Sequence, residues 1–451
     1  MTGLRIGWAT PWNQRSAVCS SAAEVAFELA ARGHRVTVLR TERGEARDLP
    51  LLRPPPGPIH HLDDLSDTTL DMQFDVVVAH IGNHLFHHGA AVDRLQGYGM
   101  VGIFHDMFLG HLALAWFDSI GRMPELVPLA RELYGEEGMP DGDPFWGDLG
   151  DMVRRRPMLE WLARHCTGAV AHAAHYVERL RAACPGPVAT IPLAFTVPDL
   201  PPPPSAGKLL TVASVGYANT NKRIDEVILA IGASPILRGR CRLRVIGEAS
   251  PEQREHLVAR AAACQLDPPE FTGWVNDEEL RRQLRDADVI SCLRNPVLEG
   301  ASASAILAMS SGRPTLVTHH GGYADIPADA ALHCRPEAEA LDTMRHLEWI
   351  LAHPAEGAAI GARGRAHALR HHTPGAYVDA LLPLLEQVIA NRPPRPLDQP
   401  RHQTQARLLS TLSDFGLGLD DPAVRRMEAV LDSMQIDAKG IARAQKRAGL
   451  S

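Results

Sequence analysis

Short apolar runs alternate with longer amphipathic stretches along the first two hundred residues. Leu4-Arg5-Ile6-Gly7-Trp8-Ala9 has the length of a strand and stops at Thr10-Pro11. From Ser20 to Arg32 apolar residues recur at helical spacing: Ala23, Phe27 and Ala30 form one stripe, with Val25 and Leu29 beside it. Gly33 supplies a C-cap, and Val36-Thr37-Val38-Leu39 reads as the next strand. Strand, helix and strand in that order predict a parallel sheet with right-handed crossovers. The pattern returns at Phe74–Ala79, Met100–Phe104, Gly168–Ala171 and Val188–Ile191, which predicts one open α/β domain over residues 1–200.

Pro201-Pro202-Pro203-Pro204 cannot join a sheet ladder and favours polyproline II, so residues 201–208 read as a semi-rigid linker. A second series follows: strands at Leu209–Val215, Arg242–Ile246, Glu270–Thr272, Val289–Ser291 and Thr315–Val317, with helices at Ile224–Ile231 and Asp277–Asp286 among those between. These predict a second α/β domain over 209–373. A long helix near Pro374–Ala390 closes it, followed by a helical tail, so that 374–451 is a closing helix and appendage. In the tail, Asp421-Pro422 is a good helix start before Ala423–Met434. The tail either packs on the body or serves as an arm for homo-oligomerisation.

With 451 residues, 45% apolar and 22% charged, the chain has an ordinary globular composition and ample material for two cores. A net charge of −7 disfavours a nucleic-acid binder or a polybasic membrane adsorber, leaving room for no more than a weak peripheral membrane contact. No apolar run reaches the roughly 18 residues that span a bilayer. The N-terminus enters a strand rather than a signal sequence, and the seven scattered cysteines contain no CxxC pair. Reduced thiols in a cytoplasmic protein are the expectation.

No glycine fingerprint of a dinucleotide fold, no Walker loop and no HExxH motif occurs. His80, His84, His87 and His88 lie close together, but no clustered cysteine or carboxylate completes a metal set, so no metal site is assigned. In the second domain, Gly216-Tyr217-Ala218-Asn219-Thr220-Asn221-Lys222-Arg223 lies just past a strand and opens a helix. Two adjacent cations there suit a pyrophosphate; otherwise they are first-turn helix residues, where a cation opposes the dipole. Glu299-Gly300-Ala301-Ser302-Ala303-Ser304 leads into another helix whose small residues let a ligand approach backbone N–H groups. Glu299 would accept hydrogen bonds from sugar hydroxyls, or simply suits a helix N-terminus.

Together these stretches resemble the donor domain of GT-B glycosyltransferases, specifically the retaining glycosyltransferase family four (glycosyl transferases group 1). The matching residues are Val215-Gly216 with Lys222-Arg223, Arg244-Val245-Ile246-Gly247, Phe271-Thr272-Gly273-Trp274-Val275, Leu284–Val289, Glu299, Gly312-Arg313-Pro314 and His320-Gly321-Gly322. The first half resembles a bacterial subgroup through Thr10-Pro11-Trp12-Asn13, His80-Ile81-Gly82-Asn83 with His87, Gly102-Ile103-Phe104-His105-Asp106, Tyr134-Gly135 and Ala171-His172. The resemblance covers residues 4–390. It implies two Rossmann-like domains facing a cleft and transfer of a sugar from a nucleotide-diphospho-sugar (UDP or GDP) with retention. It places His105, Glu299 and Lys222 in catalysis, and Gly216, Lys222, Arg223, Gly247, Trp274, Val275, Glu299, Ser302, Ala303 and Ser304 around the donor. Asn13, Gly82, Asn83, His87 and Asp106 line the first domain's side of the cleft. Lys222, Arg223 and the amides near Ser302–Ser304 would stabilise the leaving diphosphate without a metal, and no permanently bound cofactor is expected.

The chain departs from the family pattern at Leu307, where a second glutamate usually holds the ribose, and at Tyr217, where an arginine often follows the glycine. The paired glycines of the first-domain donor loop are replaced near Arg15-Ser16. These departures keep two other readings open: a catalytically silent GT-B subunit that binds a partner, and a GT-B sugar-nucleotide epimerase, which needs no acceptor. Acceptor contacts are expected in Leu109–Asp151, with Trp116, Phe117, Tyr134 and Trp146, unless that stretch is a packed helical lid. A glycan, a lipid-linked glycan or a small natural product would suit such a site.

Overall fold

The computed structural model describes residues 3–135, 147–196 and 209–392, with Pro422 alone beyond them. The proline run, the tail helix and Trp146 therefore lie outside the described residues. Two parallel sheets organise the chain. The first contains β1 (Arg5–Thr10), β2 (Arg35–Arg40), β3 (Ile59–His61), β4 (Val76–Ile81), β5 (Val101–Phe104), β6 (Gly168–Ala171) and β7 (Val188–Thr190), in the order β3-β2-β1-β4-β5-β6-β7. The second contains β8 (Leu210–Val215), β9 (Cys241–Ile246), β10 (Glu270–Phe271), β11 (Val289–Cys292), β12 (Thr315–Thr318) and β13 (Leu332–Cys334), in the order β10-β9-β8-β11-β12-β13.

Strands buried on both faces explain the near-continuous apolar runs. β4, β5, β6, β8, β11 and β12 are buried at every position. Register aligns Ile6 with both Val36 and Val76, so β1 lies between β2 and β4 and the chain direction of winding reverses there. β8 has the same place in the second sheet, between β9 and β11. Ligands of open α/β sheets sit beyond the carboxyl ends of strands at such reversal points.

Helices start where the sequence offers caps. Ser16 accepts from Cys19 N–H before the helix Ala17–Ala31, and Asn276 accepts from Glu279 N–H before Asp277–Asp286. The helix Pro374–Asn391 begins behind Thr373, as its Thr-Pro start predicts. It does not end the second domain's core, however. Tyr377, Val378, Leu381, Leu384, Leu385 and Val388 are buried with Ile6, Trp8, Val38 and the helix Ala17–Ala31 in the first domain's core. Its apolar stripe finds a partner there, and Arg32 ties the crossing by ion pairs to both Glu28 and Asp379.

Candidate active site

The carboxyl ends of the two sheets meet. Gly300 N–H donates to the His105 carbonyl at 2.8 Å, and Met107 and Phe108 N–H groups donate to Leu298 O at 3.0 and 3.1 Å. The segment after β5 thus pairs with the segment after β11, with Asp106 directly opposite Glu299. Gly300 is required by this approach: a Cβ there would run into the Tyr176 hydroxyl and lie 3.1 Å from the His105 carbonyl oxygen. Tyr176 in turn donates to Phe104 O at 2.8 Å and accepts from His172 N–H at 2.6 Å, so it braces the ends of β5 and β6.

On the first domain's side, Asn13 is wholly buried behind β1. Its Nδ2 donates to Glu42 Oε1 at 2.9 Å and lies 3.4 Å from His87 Nδ1, while its Oδ1 accepts from Arg15 N–H at 2.9 Å. Glu42 also accepts from Trp12 N–H at 2.8 Å and pairs with buried Arg40 at 3.1 Å. Glu42 and Arg40 therefore orient this loop, a role no motif in the sequence announces. Gly82 lies against the His88 ring. Asn83 N–H donates to Asp106 Oδ2 at 2.8 Å, and Asn83 Oδ1 accepts from Leu112 N–H at 2.8 Å, which caps the helix Gly110–Ser119. Burial, with Glu299 opposite, raises the Asp106 carboxyl to about 7.

The histidine group divides. His80 and His88 turn into the core, whereas His84 and His87 are partly exposed. His80 Nδ1 is 2.8 Å from His105 Nε2, and the His105 ring is 4.8 Å from that of His172. Burial holds His80 and His105 well below the usual histidine range, so this group is neutral.

On the second domain's side, Gly216 ends β8 at φ +90°, a backbone shape that favours glycine, and Lys222 folds back to donate to the Val215 carbonyl. Lys222 is 7% exposed, and burial together with Arg294 lowers it to about 8. Arg223 stands apart. It adopts φ +55° and gives its guanidinium to Glu339 at 2.6 Å and Glu226 at 2.9 Å, so the two cations do not converge. The cation near Lys222 is instead Arg294, buried after β11, with Nε 3.6 Å from Glu299 Oε1. Tyr323 donates to the same oxygen at 2.7 Å. Neither Arg294 nor Tyr323 was singled out by spacing in the sequence, because each acts from the end of a strand or turn with no periodic mark.

Ser302 caps the helix Ala303–Ser310 by accepting from Ala305 N–H at 3.2 Å; Ala303 is exposed and Ser304 half-buried in its first turn. Gly247, after β9, pairs with Gly273, and Trp274 beyond it is 74% exposed, with Val275 half-buried beside it. Leu307 packs half-buried against the second domain's core, and Tyr217 is exposed. Of the aromatics expected at the acceptor, the three among the described residues are engaged in packing or hydrogen bonds of their own domain. Trp116 and Phe117 are buried against Trp161, and Tyr134 is fixed by Glu160 and by Met158 N–H. Their apolar area is consumed by packing of the helices that carry them. Among the described residues no group of three His, Cys, Asp or Glu converges as metal ligands, and no helix is long and apolar enough to cross a membrane.

Two parallel-sheet Rossmann-like domains meeting at their carboxyl edges are the GT-B class of glycosyltransferase fold, and solved structures of that class share it. HepE of Anabaena, solved with UDP, is 13% identical and covers 85% of this chain and 100% of its own, with a TM-score of 0.60. The sucrose-phosphate synthase of Thermosynechococcus elongatus is 16% identical over 86% and 99% of the two chains, TM-score 0.57. A glycosyltransferase from Rickettsia africae ESF-5 is 13% identical over 87% and 100%, TM-score 0.58. Residues 200–367 match the family model described as glycosyl transferases group 1. A mannosylfructose-phosphate synthase of Agrobacterium fabrum is 36% identical over 118 residues, which is 25% of this chain and 26% of that protein.

Proposed function

We propose that this chain transfers a hexose from a nucleoside-diphosphate sugar to an acceptor hydroxyl, with retention at the anomeric carbon and without a metal on the diphosphate. The observation that carries the reading is the seam itself: Glu299 and its neighbours Arg294 and Lys222 are held against His105 and Asp106 by the Gly300–His105 backbone bond. In this reading Lys222, Arg294 and the amides at Ser302–Ser304 stabilise the charge that develops on the departing diphosphate. Glu299, with one oxygen already held by Tyr323, presents the other to sugar hydroxyls. Trp274 and Val275, beside the Gly216 and Gly247 turns, are assigned to the base. Arg223 is assigned to holding Glu339, and Asn13, Gly82, Asn83 and His87 to shaping the first domain's wall. The protein works in the cytoplasm, on a glycan, lipid-linked glycan or natural-product acceptor.

UDP is the first base to try, since HepE was solved with UDP and with UDP-glucose. The test is a thermal-shift titration with UDP, GDP, ADP and TDP, each with and without EDTA. Stabilisation by one nucleotide that survives EDTA is expected. A shift abolished by EDTA would overturn metal independence. No shift with any nucleotide would favour the silent-subunit reading, which Tyr217 and the apolar, core-packed Leu307 support.

A further inference from the structure

His80, His105 and His172 meet at the carboxyl ends of β4, β5 and β6, and their ring nitrogens are engaged in a way that constrains where each proton sits. His172 Nδ1 is 2.9 Å from the Ile191 carbonyl oxygen, which accepts only, so Nδ1 carries the proton and the buried Nε2 is bare. His88 Nδ1 donates in the same way to the His80 carbonyl at 3.0 Å. Among the described residues His80 Nε2 is buried without a hydrogen-bond partner, and His80 Nδ1 is 2.8 Å from His105 Nε2. An extra proton on the pair is disfavoured by burial and by the neighbouring His88 and His172.

A neutral pair shares one proton across the 2.8 Å contact, which leaves two arrangements. If His105 donates, His80 must carry its own proton on Nε2, a buried N–H with no acceptor. The Trp8 ring, its centroid 4.6 Å from that of His80, offers a π-system at best. If His80 donates, its Nε2 is an empty lone pair instead. Buried N–H groups without partners are rarer in folded proteins than under-used acceptors.

We infer that His80 Nδ1–H donates to His105 Nε2 and thereby sets His105 as an Nδ1–H donor at the seam, so that His80 is a positioning residue for His105. Its consequence for the reaction rests on the transferase reading above: His105 meets a substrate oxygen as a hydrogen-bond donor and does not take up a proton. The tautomer itself can be read without any substrate. The full chain, labelled with ¹⁵N-histidine and free of ligand, is examined by long-range ¹H–¹⁵N correlation between pH 5.5 and 8, with His105→Gln assigning the His105 signals. His105 is expected to show a protonated Nδ1 and a bare Nε2 throughout. His80→Phe is expected to move the His105 proton toward Nε2 or bring the ring into titration. His80→Asn, which returns an N–H donor near the former Nδ1, is expected to restore the pattern. A wild-type His105 protonated at Nε2, a wild-type His105 that titrates in this range, or a His80→Phe spectrum unchanged from wild type overturns the inference. If His80→Phe fails to fold, the wild-type spectrum decides alone. Absence of nucleotide binding would sink the transferase reading and leave this result standing.

Discussion

Lys222 and Arg223 are adjacent in the chain, yet their surroundings ask different things of them. Lys222 is buried beside Arg294, where an incoming diphosphate would relieve the repulsion; Arg223 neutralises Glu339, whose side chain is 1% exposed. Lys222→Ala is therefore expected to cut turnover and UDP affinity by at least about tenfold, about 1.4 kcal/mol, with little change in the urea midpoint. Arg223→Ala should do the reverse. Leaving Glu339 buried and unpaired costs roughly 1–3 kcal/mol in urea unfolding, while the affinity for UDP changes little. Equal losses of affinity in both variants would return Arg223 to the phosphate. The lowered Lys222 also predicts a pH dependence. Its folded value is about 8, below the ordinary lysine range, so the binding cation is lost as pH rises through 8. Affinity for UDP is expected to fall between pH 7.5 and 9, while that for uridine, which lacks the diphosphate, stays level. Arg294→Gln removes one source of repulsion and should move the break upward. The places of Lys222 and Glu299, in runs of small or polar residues just past a strand, were legible in the sequence. Arg294 and Tyr323 were not, since a single arginine after an apolar run carries no spacing that distinguishes it from a surface residue.

At the scale of elements, burial decides what could be read. β4, β8 and β11 are continuous β-branched and apolar runs, and their expected positions agree with the observed strands to within a few residues. β3 and β13 escaped notice: Ile59-His60-His61 and Leu332-His333-Cys334 are three-residue edge strands whose pairing comes from a neighbour rather than from their own pattern. The helix Pro374–Asn391 was legible as a helix but not as a partner of the first domain, because an amphipathic stripe states that a face is covered without stating by what. That docking makes a prediction. Leu381 and Leu385 are fully buried between the helix Ala17–Ala31 and the first sheet. Leu385→Ala is expected to cost about 2–4 kcal/mol in urea unfolding, although the residue follows the whole second domain in sequence. Hydrogen exchange should rise in β1 and the helix Ala17–Ala31 before it rises in β8 or β11. Loosening confined to the second sheet would contradict this packing.

Across the whole molecule, neither sheet alone carries the set of groups proposed for the site. Glu299, Lys222 and Arg294 belong to the second domain, His105 and Asp106 to the first, and the seam at Gly300 is what brings them together. Ala174 N–H donating to Asp325 at 2.6 Å and His372 Nδ1 at 2.9 Å from Leu193 O bind the same two bodies beside it. Domain contact of this kind keeps water from a reactive donor, so its loss should be felt in transfer more than in nucleotide binding. Gly300→Ala tests the division. The added methyl meets the Tyr176 hydroxyl and the His105 carbonyl, both parts of the first domain, while the second domain's fold and its Lys222 side are untouched. The variant should bind UDP within about threefold of wild type, lose sugar transfer by at least tenfold, about 1.4 kcal/mol, and show a larger radius of gyration in solution scattering. Proportional loss of binding and transfer would mean that Gly300 serves the nucleotide directly. Unchanged transfer would mean that the His105–Gly300 contact is not part of the working arrangement, and the role proposed for the first domain's residues would have to be sought in a different closure of the two sheets.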